Sequence, residues 1–259
     1  MENKYHIYIP SHNRSDYCKS AEACVECGLD FTIVIEPSQY KAYRKNFSKD
    51  NLFVLERDGK GIAYKRNKII ELAKSRKQKS HWQIDDKVGK FYRRNKENKI
   101  VEVPISKLVT RLENIYDSYR GLAVIGPGIT AFARKFNNPF TYSTFPYSCW
   151  LQRTRDMPKF RGETLDDVDY ALQLLTAGEC VLRSNVYLRN TCTSGKVKGG
   201  NSVTNQASRD AMNDKVAKVV EYFPEYLDLD KTKRKDGVWD VKPKKRYSLM
   251  FPQQPVLRD

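Results

Sequence analysis

The amino-acid sequence predicts an α/β fold, in which a mainly parallel sheet is flanked by helices. Short apolar runs alternate with helix-like segments through the first half of the chain. The connections between these runs are long enough to contain the crossover helices that parallel strands require. Polar, charged and glycine residues follow the apolar runs. Because such sheets bind ligands at the carboxyl ends of their strands, we expect a functional site among these residues.

The first half contains four predicted strands with helices between them. The strands are Tyr5–Ile9, Phe31–Glu36, Asn51–Glu56 and His81–Ile84. The helices are a segment that runs to Cys27, then SQYKAYRKN, then IAYKRNKIIELAKS. On the last of these, Arg66 falls beside the apolar stripe that contains Ile69 and Ala73, so we expect its side chain near the buried face.

The second half is less regular and predicts a mixed region. ISKLVTRLENIYDSY has the pattern of an amphipathic helix, and GLAVIG is a short strand that leads into a turn. The aromatic segment FNNPFTYSTFPYSCWLQRT contains two prolines, which favour a loop followed by a strand. ETLDDVDYALQLLTAGE predicts a helix that ends at Gly178, and CVLRSNVYLRN predicts one or two strands. A last helix is expected over Ala207–Tyr222.

The chain is strongly basic, with a net charge of +16 over 259 residues. Such an excess indicates a polyanionic partner, namely nucleic acid, an anionic membrane surface or a phosphorylated substrate. A solubilising surface would mix the two signs more evenly. The six cysteines follow no disulfide or zinc-site pattern, so we expect reduced thiols. No transmembrane run or signal-peptide pattern is present, and we expect a cytoplasmic protein that does not insert into membranes.

Two groups of carboxylates could carry chemistry. Asp85 and Asp86 follow the fourth strand, where paired carboxylates can hold Mg²⁺ or Mn²⁺, although turns also use Asp for local hydrogen bonds. The segment DDVD opens the helix after Thr164. Thr164 would be a favourable N-cap, and carboxylates in the first turn stabilise a helix, so this pattern can be explained without a function. A functional role would require one of these carboxylates to face a cleft as a general base.

Two further motifs place cations at strand ends. Gly59, Gly61, Arg66 and Asn67 combine a tight turn with a cation near a helix start, which suits a phosphate. The pattern is not that of a P-loop, so a Walker-type nucleotide fold is not expected. Arg14, in the segment SHNRSD, could either pair with a carboxylate or contact a nucleotide.

The order of these motifs resembles that of a known enzyme family. IYIPSHNRSD, IVIEPSQYKAY, GKGIAYKRNKIIELA, WQIDDK and ETLDDVDYALQLLTAG follow one another as in the GT-A glycosyltransferases. The chain is most similar to the phage TET-associated group, which glycosylates hydroxymethylated pyrimidines in DNA, and the similarity spans Tyr5–Asn190. It implies a GT-A (Rossmann-like) fold that acts in the cytoplasm of a phage-infected host. It further implies a nucleotide-sugar-binding half at 1–94, an acceptor half with the catalytic base at 95–206, and a C-terminal helix with a basic tail at 207–259.

The resemblance assigns roles to individual residues. The donor pocket would contain Pro10, Ser11, Arg14, Glu36, Gly61, Arg66, Asn67, Asp85 and Asp86. Arg66 would support the diphosphate of a UDP-sugar, and Asp85 with Asp86 would bind Mg²⁺ or Mn²⁺ beneath it. Asp167, with Asp166 beside it, would deprotonate the acceptor hydroxyl in an inverting displacement.

Two departures from the family pattern concern the metal. Lys87 stands where many relatives have a third acidic residue, and no histidine follows His81 in the chain. The cation would therefore have few protein ligands. Lys196 and Lys198, in a glycine-rich segment, could instead neutralise the diphosphate.

DNA as the acceptor agrees with the charge, because a transferase that acts on DNA must hold a phosphate backbone. The candidates for backbone contact are Arg93, Arg94, Lys244, Lys245 and Arg246. A modified base in a duplex would have to flip out and stack on aromatic side chains. Phe145, Tyr147 and Trp150 are the candidates for stacking, and core packing beneath an irregular loop is the alternative for each.

Several choices remain open at the level of sequence. The expected acceptor is 5-hydroxymethylcytosine, with hydroxymethyluracil as the alternative, and the sugar could be glucose, arabinose, galactose or N-acetylglucosamine. Two other functions are compatible with the pattern. One is a GT-A enzyme that acts on a cell-envelope polysaccharide or a lipid-linked acceptor; the other is a non-enzymatic nucleic-acid-binding protein. We expect a monomer.

Overall fold

The structure is a computed structural model that describes residues 3–135, 137–162, 164–190, 206–232, 237–244 and 255–258. Its strands are β1 (Ile7–Pro10), β2 (Phe31–Ile35), β3 (Leu52–Val54), β4 (Ser80–Ile84), β5 (Phe91–Arg94), β6 (Ile100–Val103), β7 (Tyr119–Arg120), β8 (Leu122–Ile129), β9 (Phe140–Tyr142), β10 (Cys149–Arg153), β11 (Cys180–Arg189), β12 (Leu227–Asp230), β13 (Asp240–Pro243) and β14 (Val256–Leu257). Its α-helices are α1 (Lys19–Glu26), α2 (Tyr40–Tyr43), α3 (Gly61–Ser75), α4 (Ile105–Ser118), α5 (Asp166–Thr176) and α6 (Gln206–Tyr222).

A ten-stranded sheet forms the centre of the described residues, in the order β3-β2-β1-β4-β10-β8-β11-β5-β6, with β9 added beside β11. β1 pairs in parallel with β2 and β4, and β2 pairs in parallel with β3. β10 is inserted antiparallel between β4 and β8, β11 runs parallel to β8, and β5 runs antiparallel to β11. The predicted α/β fold class is confirmed, with parallel strands in the first half and a mixed second half.

Helices cover both faces of the sheet, which explains why β1, β2 and β4 are buried along their whole length. Successive residues of a strand point to opposite faces. Ile7 and Ile9 therefore pack in one cluster with residues of α1 and α4. Tyr8 packs with Ile69 and Ala73 of α3 on the other face. Burying each such side chain contributes roughly 1.5–3 kcal/mol, so a register slip of one residue would be costly.

The start of α5 differs from the sequence prediction. Its N-cap is Leu165, in a left-handed conformation with φ of 52°, and not Thr164. The Thr164 hydroxyl instead contacts the sulfur of Met212 at 2.7 Å. Leu165 has no side-chain acceptor, and the Val168 N–H donates to Oδ1 of Asp167 at 2.9 Å. Asp167 is thereby fixed at the helix start.

The hairpin of β5 and β6 lies in a charged run for which the sequence pattern predicts no strand. β6 is the last strand of the sheet and is largely exposed, so charged side chains are tolerated there. β5 pairs with β11. The first 94 residues therefore end within the mixed part of the sheet.

The described cysteines, Cys18, Cys24, Cys27, Cys149 and Cys180, form no disulfide. Burial raises the pKa of the Cys24 thiol well above its usual range, so that side chain packs as a small neutral group. No helix among the described residues has the length and apolar character needed to cross a membrane.

Candidate functional site

The candidate site lies where the carboxyl ends of parallel strands meet the first turns of α3 and α5. Ser11 follows β1, Glu36 follows β2, and Asp85 and Asp86 follow β4. Side-chain contacts then join these strand ends to the two helices, as described below. This is the edge of the sheet at which the sequence pattern predicts a site.

Asp86 is held by two donors. The Ser11 hydroxyl donates to Oδ2 at 2.6 Å, and the Arg14 guanidinium donates to Oδ1 at 2.5 Å. Tyr43 supports both donors, because its hydroxyl accepts the Arg14 N–H at 3.1 Å and is hydrogen-bonded to Ser11 at 2.5 Å. Asp86 is only 3% exposed. Burial raises the pKa of Asp86 above its ordinary value, although Arg14 and Ser11 oppose the rise.

A buried lysine lies next to this cluster. Lys65, which is 3% exposed, donates to the Ser11 carbonyl at 2.5 Å and lies 3.6 Å from the carboxylate of Glu36. Glu36 also lies 3.4 Å from His12. Burial lowers the pKa of Lys65, and the charge of Glu36 opposes that change. Glu36 is thus part of a buried polar cluster at the end of β2.

Arg66 joins the strand end to α5. Its Nε donates to Asp166 at 2.5 Å, its Nη2 donates to Asp85 at 2.8 Å, and its Nη1 donates to Gln83 at 3.3 Å. Arg66 is 2% exposed. Burial by itself would lower the pKa of the guanidinium, but Asp166 and Asp85 raise it above its ordinary range. We call the Asp85–Arg66–Asp166 arrangement the carboxylate bridge.

Aromatic rings lie beneath the carboxylate bridge. The guanidinium carbon of Arg66 lies 4.5 Å from the centre of the Trp150 ring and 5.6 Å from that of Phe160. Tyr170 stacks on Phe160 with a centroid distance of 3.9 Å. Asn67 fixes the Phe160 backbone by donating to its carbonyl at 2.7 Å and accepting its N–H at 2.9 Å. The cation is held between carboxylates and π faces, which stabilise it in a desolvated position.

These contacts bear on two roles that the resemblance implied. Each guanidinium nitrogen of Arg66 donates to a protein acceptor, and both polar atoms of the Asn67 side chain are engaged by Phe160. These bonds use three of the five N–H groups of Arg66, so support of a diphosphate by this side chain stays a prediction. Gly61 begins α3 with a φ of 75°, a conformation that glycine adopts without strain, and Pro10 is the buried last residue of β1.

Asp167 is a carboxylate whose surroundings favour its protonated form. It lies in the first turn of α5, half-buried, directly after Asp166. Burial, and then the negative charge of Asp166, raise the pKa of Asp167 to about 7, although Arg66 opposes the rise. A carboxylate of this kind accepts protons more readily than an ordinary aspartate and is still largely ionised above neutral pH.

The third acidic residue of the same turn has a different role. Asp169 is 1% exposed and accepts from Nε and Nη2 of Arg161 at 2.9 Å and 2.7 Å. Gln173 also donates to it, at 3.0 Å. Asp169 is therefore a fully paired group that ties α5 to the preceding loop, and only Asp166 and Asp167 face the candidate site.

The aromatic candidates for acceptor stacking separate into two groups. Trp150 is 1% exposed and donates its ring N–H to Gln152 at 2.7 Å, and Phe145 is 5% exposed. Both pack in the core, so neither offers a ring face to a base. Tyr147 is half-buried, and its backbone carbonyl accepts from Arg189 at 2.9 Å. Burial and the nearby charge of Asp167 raise the pKa of the Tyr147 hydroxyl. Of the three, Tyr147 is the half-buried one, and it lies near the Asp167 carboxylate.

Three of the predicted DNA contacts, Arg93, Arg94 and Lys244, lie among the described residues. Arg93 and Arg94 are adjacent on β5 and point to opposite faces of the sheet. Arg94 donates to the Ala133 carbonyl at 3.3 Å, and Lys244 lies 3.8 Å from Asp228. Lys196, Lys198, Lys245 and Arg246 lie outside the described residues.

The divalent-cation prediction requires accessible carboxylate oxygens, and the structure offers few. Both oxygens of Asp86 accept from Arg14 or Ser11, and Asp85 accepts from Arg66. Lys87 adds a further positive charge that favours the ionised form of Asp85. Within the described ranges, no group of three or more His, Cys, Asp or Glu residues is placed to hold a metal ion. The described residues therefore do not fit a metal centre, because arginine side chains already balance the charges of both aspartates.

Three residues of the site were not predicted as site residues from the sequence. Tyr43 lies in a short helix after β2, Lys65 precedes Arg66, and Phe160 lies in a loop without a motif. The signal for Lys65 was available, since a lysine on the apolar face of a predicted helix needs a buried partner. Nothing in the local sequence marks Phe160, because its role depends on Asn67 and Trp150, which are distant in the chain.

Comparison with known proteins places this site in a family. The family model of the TET-associated glycosyltransferases matches residues 5–200, a range that contains Asp86, the carboxylate bridge and Asp167. The search of curated proteins found no match. A crystal structure of A197 from STIV is similar over 75% of this chain and 97% of its own, with 9% identity and a TM-score of 0.41. The family match covers most of the chain, so the protein is an enzyme, and it belongs to the TET-associated glycosyltransferases.

Proposed function

We propose that this glycosyltransferase moves a sugar from a UDP-sugar to the hydroxyl of a 5-hydroxymethylpyrimidine in DNA, preferentially 5-hydroxymethylcytosine. The proposed reaction is an inverting displacement with Asp167 as the general base. The observation that carries this proposal is the carboxylate bridge. It connects the strand end expected to bind the donor with the helix turn that bears Asp167.

The donor would lie over the carboxyl ends of β1, β2 and β4. Ser11, Glu36 and Asp86 line this edge, and their side chains are held in place by Tyr43 and Lys65. Groups that are fixed before binding lose little conformational entropy when a ligand arrives. A rigid polar edge of this kind supports recognition of the base and ribose of a nucleotide.

Asp167 would take the proton of the acceptor hydroxyl as that oxygen attacks the anomeric carbon. The bond from this carbon to the diphosphate oxygen breaks on the opposite side, and UDP leaves with the bonding electron pair. A single displacement inverts the configuration of the sugar. The proton ends on Asp167, whose raised pKa suits it to this transfer. Asp166, held by Arg66, orients the turn.

DNA is the proposed acceptor because of the net charge together with the family. A charge of +16 exceeds what a small acceptor would require and suits a polyphosphate backbone. The hydroxymethyl group of a base would reach Asp167 only if the base leaves the stack. Tyr147, beside Asp167, is the aromatic residue best placed to contact such a base.

The test measures sugar transfer to DNA by the purified protein. Hydroxymethylated DNA would be incubated with a panel of UDP-sugars, and the nucleosides would then be analysed by mass spectrometry. One sugar should add its mass to 5-hydroxymethylcytosine. Absence of a mass shift with every sugar, or transfer to a lipid-linked sugar acceptor only, would contradict the proposal.

A matched pair of variants tests the assignment of the base. Asp167→Asn should lower the rate of transfer by about 10²–10⁴-fold while UDP binding is retained, because general-base catalysis contributes that much. Asp156→Asn is the control, since Asp156 is exposed and has a φ of 54°, which asparagine tolerates. Retained transfer in Asp167→Asn, within about threefold of the control, would exclude this role.

A further inference from the structure

We propose that the donor diphosphate is bound without a divalent cation, with Lys87 as its counter-charge and with Asp85 and Asp86 acting as anchors for arginine side chains. This inference rests on the proposed UDP-sugar donor. It departs from the metal-binding role that the family resemblance assigns to the two aspartates.

The first argument concerns the occupied oxygens of Asp86. Mg²⁺ requires nearly octahedral oxygen ligands at about 2.0–2.1 Å. Oδ1 of Asp86 already accepts from Arg14, and Oδ2 accepts from Ser11. The residue is only 3% exposed. Each oxygen keeps a second lone pair, but Arg14 already balances the charge of Asp86, and burial gives a hydrated cation little access to the carboxylate.

The second argument concerns Asp85. Its Oδ1 accepts from Arg66, whose guanidinium is 2% exposed. If Asp85 turned to a metal, one side of Arg66 would lose its counter-ion inside the protein. An unpaired buried charge is strongly unfavourable. Metal binding through Oδ2 alone would spare the carboxylate bridge, but Arg66 already balances the charge of Asp85 and weakens its attraction for a cation.

The third argument concerns Lys87, which is positively charged at a position where a metal site would need a negatively charged side chain. Lys87 follows the two aspartates directly and is half-buried at the edge of the site. It lies in the turn that the Val88 N–H closes on the Asp85 carbonyl at 3.1 Å, next to both carboxylates in the chain. A lysine at this position repels a divalent ion and attracts a phosphate. An ammonium group can neutralise a diphosphate as a point charge.

The test is calorimetric titration of the full-length protein with UDP, in buffer with EDTA and in buffer with Mg²⁺ or Mn²⁺. The expected result is the same dissociation constant within about twofold. Binding that is tighter by about tenfold or more with either metal would overturn the inference and leave the proposed function intact. Absence of UDP binding in every buffer would instead overturn the proposed donor, and this inference with it.

A pair of lysine variants tests the role of Lys87. Lys87→Gln should weaken UDP binding by about 10–100-fold, the value of a charge-assisted hydrogen bond, in both buffers. Binding of uridine, which has no phosphate, should not change. Lys90→Gln is the control, because Lys90 is exposed and lies 3.3 Å from Glu102 on the hairpin. Equal loss of UDP and uridine binding in Lys87→Gln, or no loss of either, would overturn the assignment.

Discussion

Replacing Arg66 with methionine should destabilise the protein more than the loss of any exposed ion pair. Methionine keeps much of the aliphatic volume and can still pack against the rings of Trp150 and Phe160. The substitution removes two charge-assisted hydrogen bonds, to Asp166 at 2.5 Å and to Asp85 at 2.8 Å. The two carboxylates remain, with side-chain exposures of 16% and 20%, and have little access to water.

The magnitude follows from the burial of the bridge. Breaking a buried ion pair by removing one partner costs about 3–5 kcal/mol. At acidic pH part of this cost is recovered, because the two carboxylates take up protons. We therefore expect a loss of about 3–5 kcal/mol in the free energy of unfolding above neutral pH, and a smaller loss at acidic pH. Domains are stable by about 5–15 kcal/mol, so a loss of this size is a large and measurable fraction of the free energy of unfolding.

The assay is urea denaturation followed by tryptophan fluorescence at several pH values. Arg153→Met is the matched control, because Arg153 pairs with Glu179 at 2.6 Å but with exposures of 31% and 27%. The control should lose about 1 kcal/mol or less. If Arg66→Met costs no more than the control, the carboxylate bridge is not a desolvated structural element and the reasoning fails. Asp85→Asn with Asp166→Asn in the Arg66→Met background should restore part of the stability.

Two further predictions concern the sheet and its core. Gly128→Ala should lower the free energy of unfolding by about 1–3 kcal/mol in urea denaturation, because the added Cβ would lie 2.5 Å from the Ser184 carbonyl oxygen. Gly162→Ala is the control, since its Cβ would lie 3.4 Å from the nearest atom. Equal losses in the two variants would contradict the prediction. Burial, and then the charge of His6, lower the pKa of His81 from 6.5 to about 3. The unfolded chain therefore binds an extra proton between these values, and the free energy of unfolding should fall as the pH drops from about 6.5 toward 3. His81→Gln should reduce the slope of this dependence between about pH 7 and about pH 4.5, and His6, whose pKa burial lowers to about 4, should keep part of it; parallel curves for the two proteins would refute the prediction.

The part of the site that could be predicted from the sequence is the part fixed by local pattern. Strand ends follow from apolar runs and turns, so Ser11, Glu36, Asp85 and Asp86 were expected at one edge of the sheet. The face of α3 that carries Arg66 follows from helical periodicity. Each of these statements needs only a few neighbouring residues.

The partners of those residues could not be predicted in the same way. Asp166 is 100 positions from Arg66 in the chain, and no local pattern connects them. Trp150 lies in an aromatic segment that suits either a binding loop or a core. Its burial depends on Phe160, which stacks at 6.1 Å from a separate loop. Long-range contacts decide whether a polar or aromatic side chain faces a ligand or packs against another residue, and the local sequence does not reveal those contacts.

The carboxylate bridge also predicts how the pH dependence of catalysis should respond to Asp166. The pKa of Asp167 is about 7, raised first by burial and then by the charge of Asp166, while Arg66 lowers it. A base acts when it is deprotonated, so the rate of transfer should rise as the pH increases through about 7. Asp166→Asn removes the repelling charge and leaves more of the Arg66 charge for Asp167.

Both effects of Asp166→Asn lower the pKa of Asp167, so the acidic limb of the profile should move to lower pH. The measurement is kcat/KM for the DNA acceptor against pH at saturating donor. Asp156→Asn, which lies outside the site, should leave the limb in place. A limb that stays fixed or moves to higher pH in Asp166→Asn would show that Asp167 is not the titrating base.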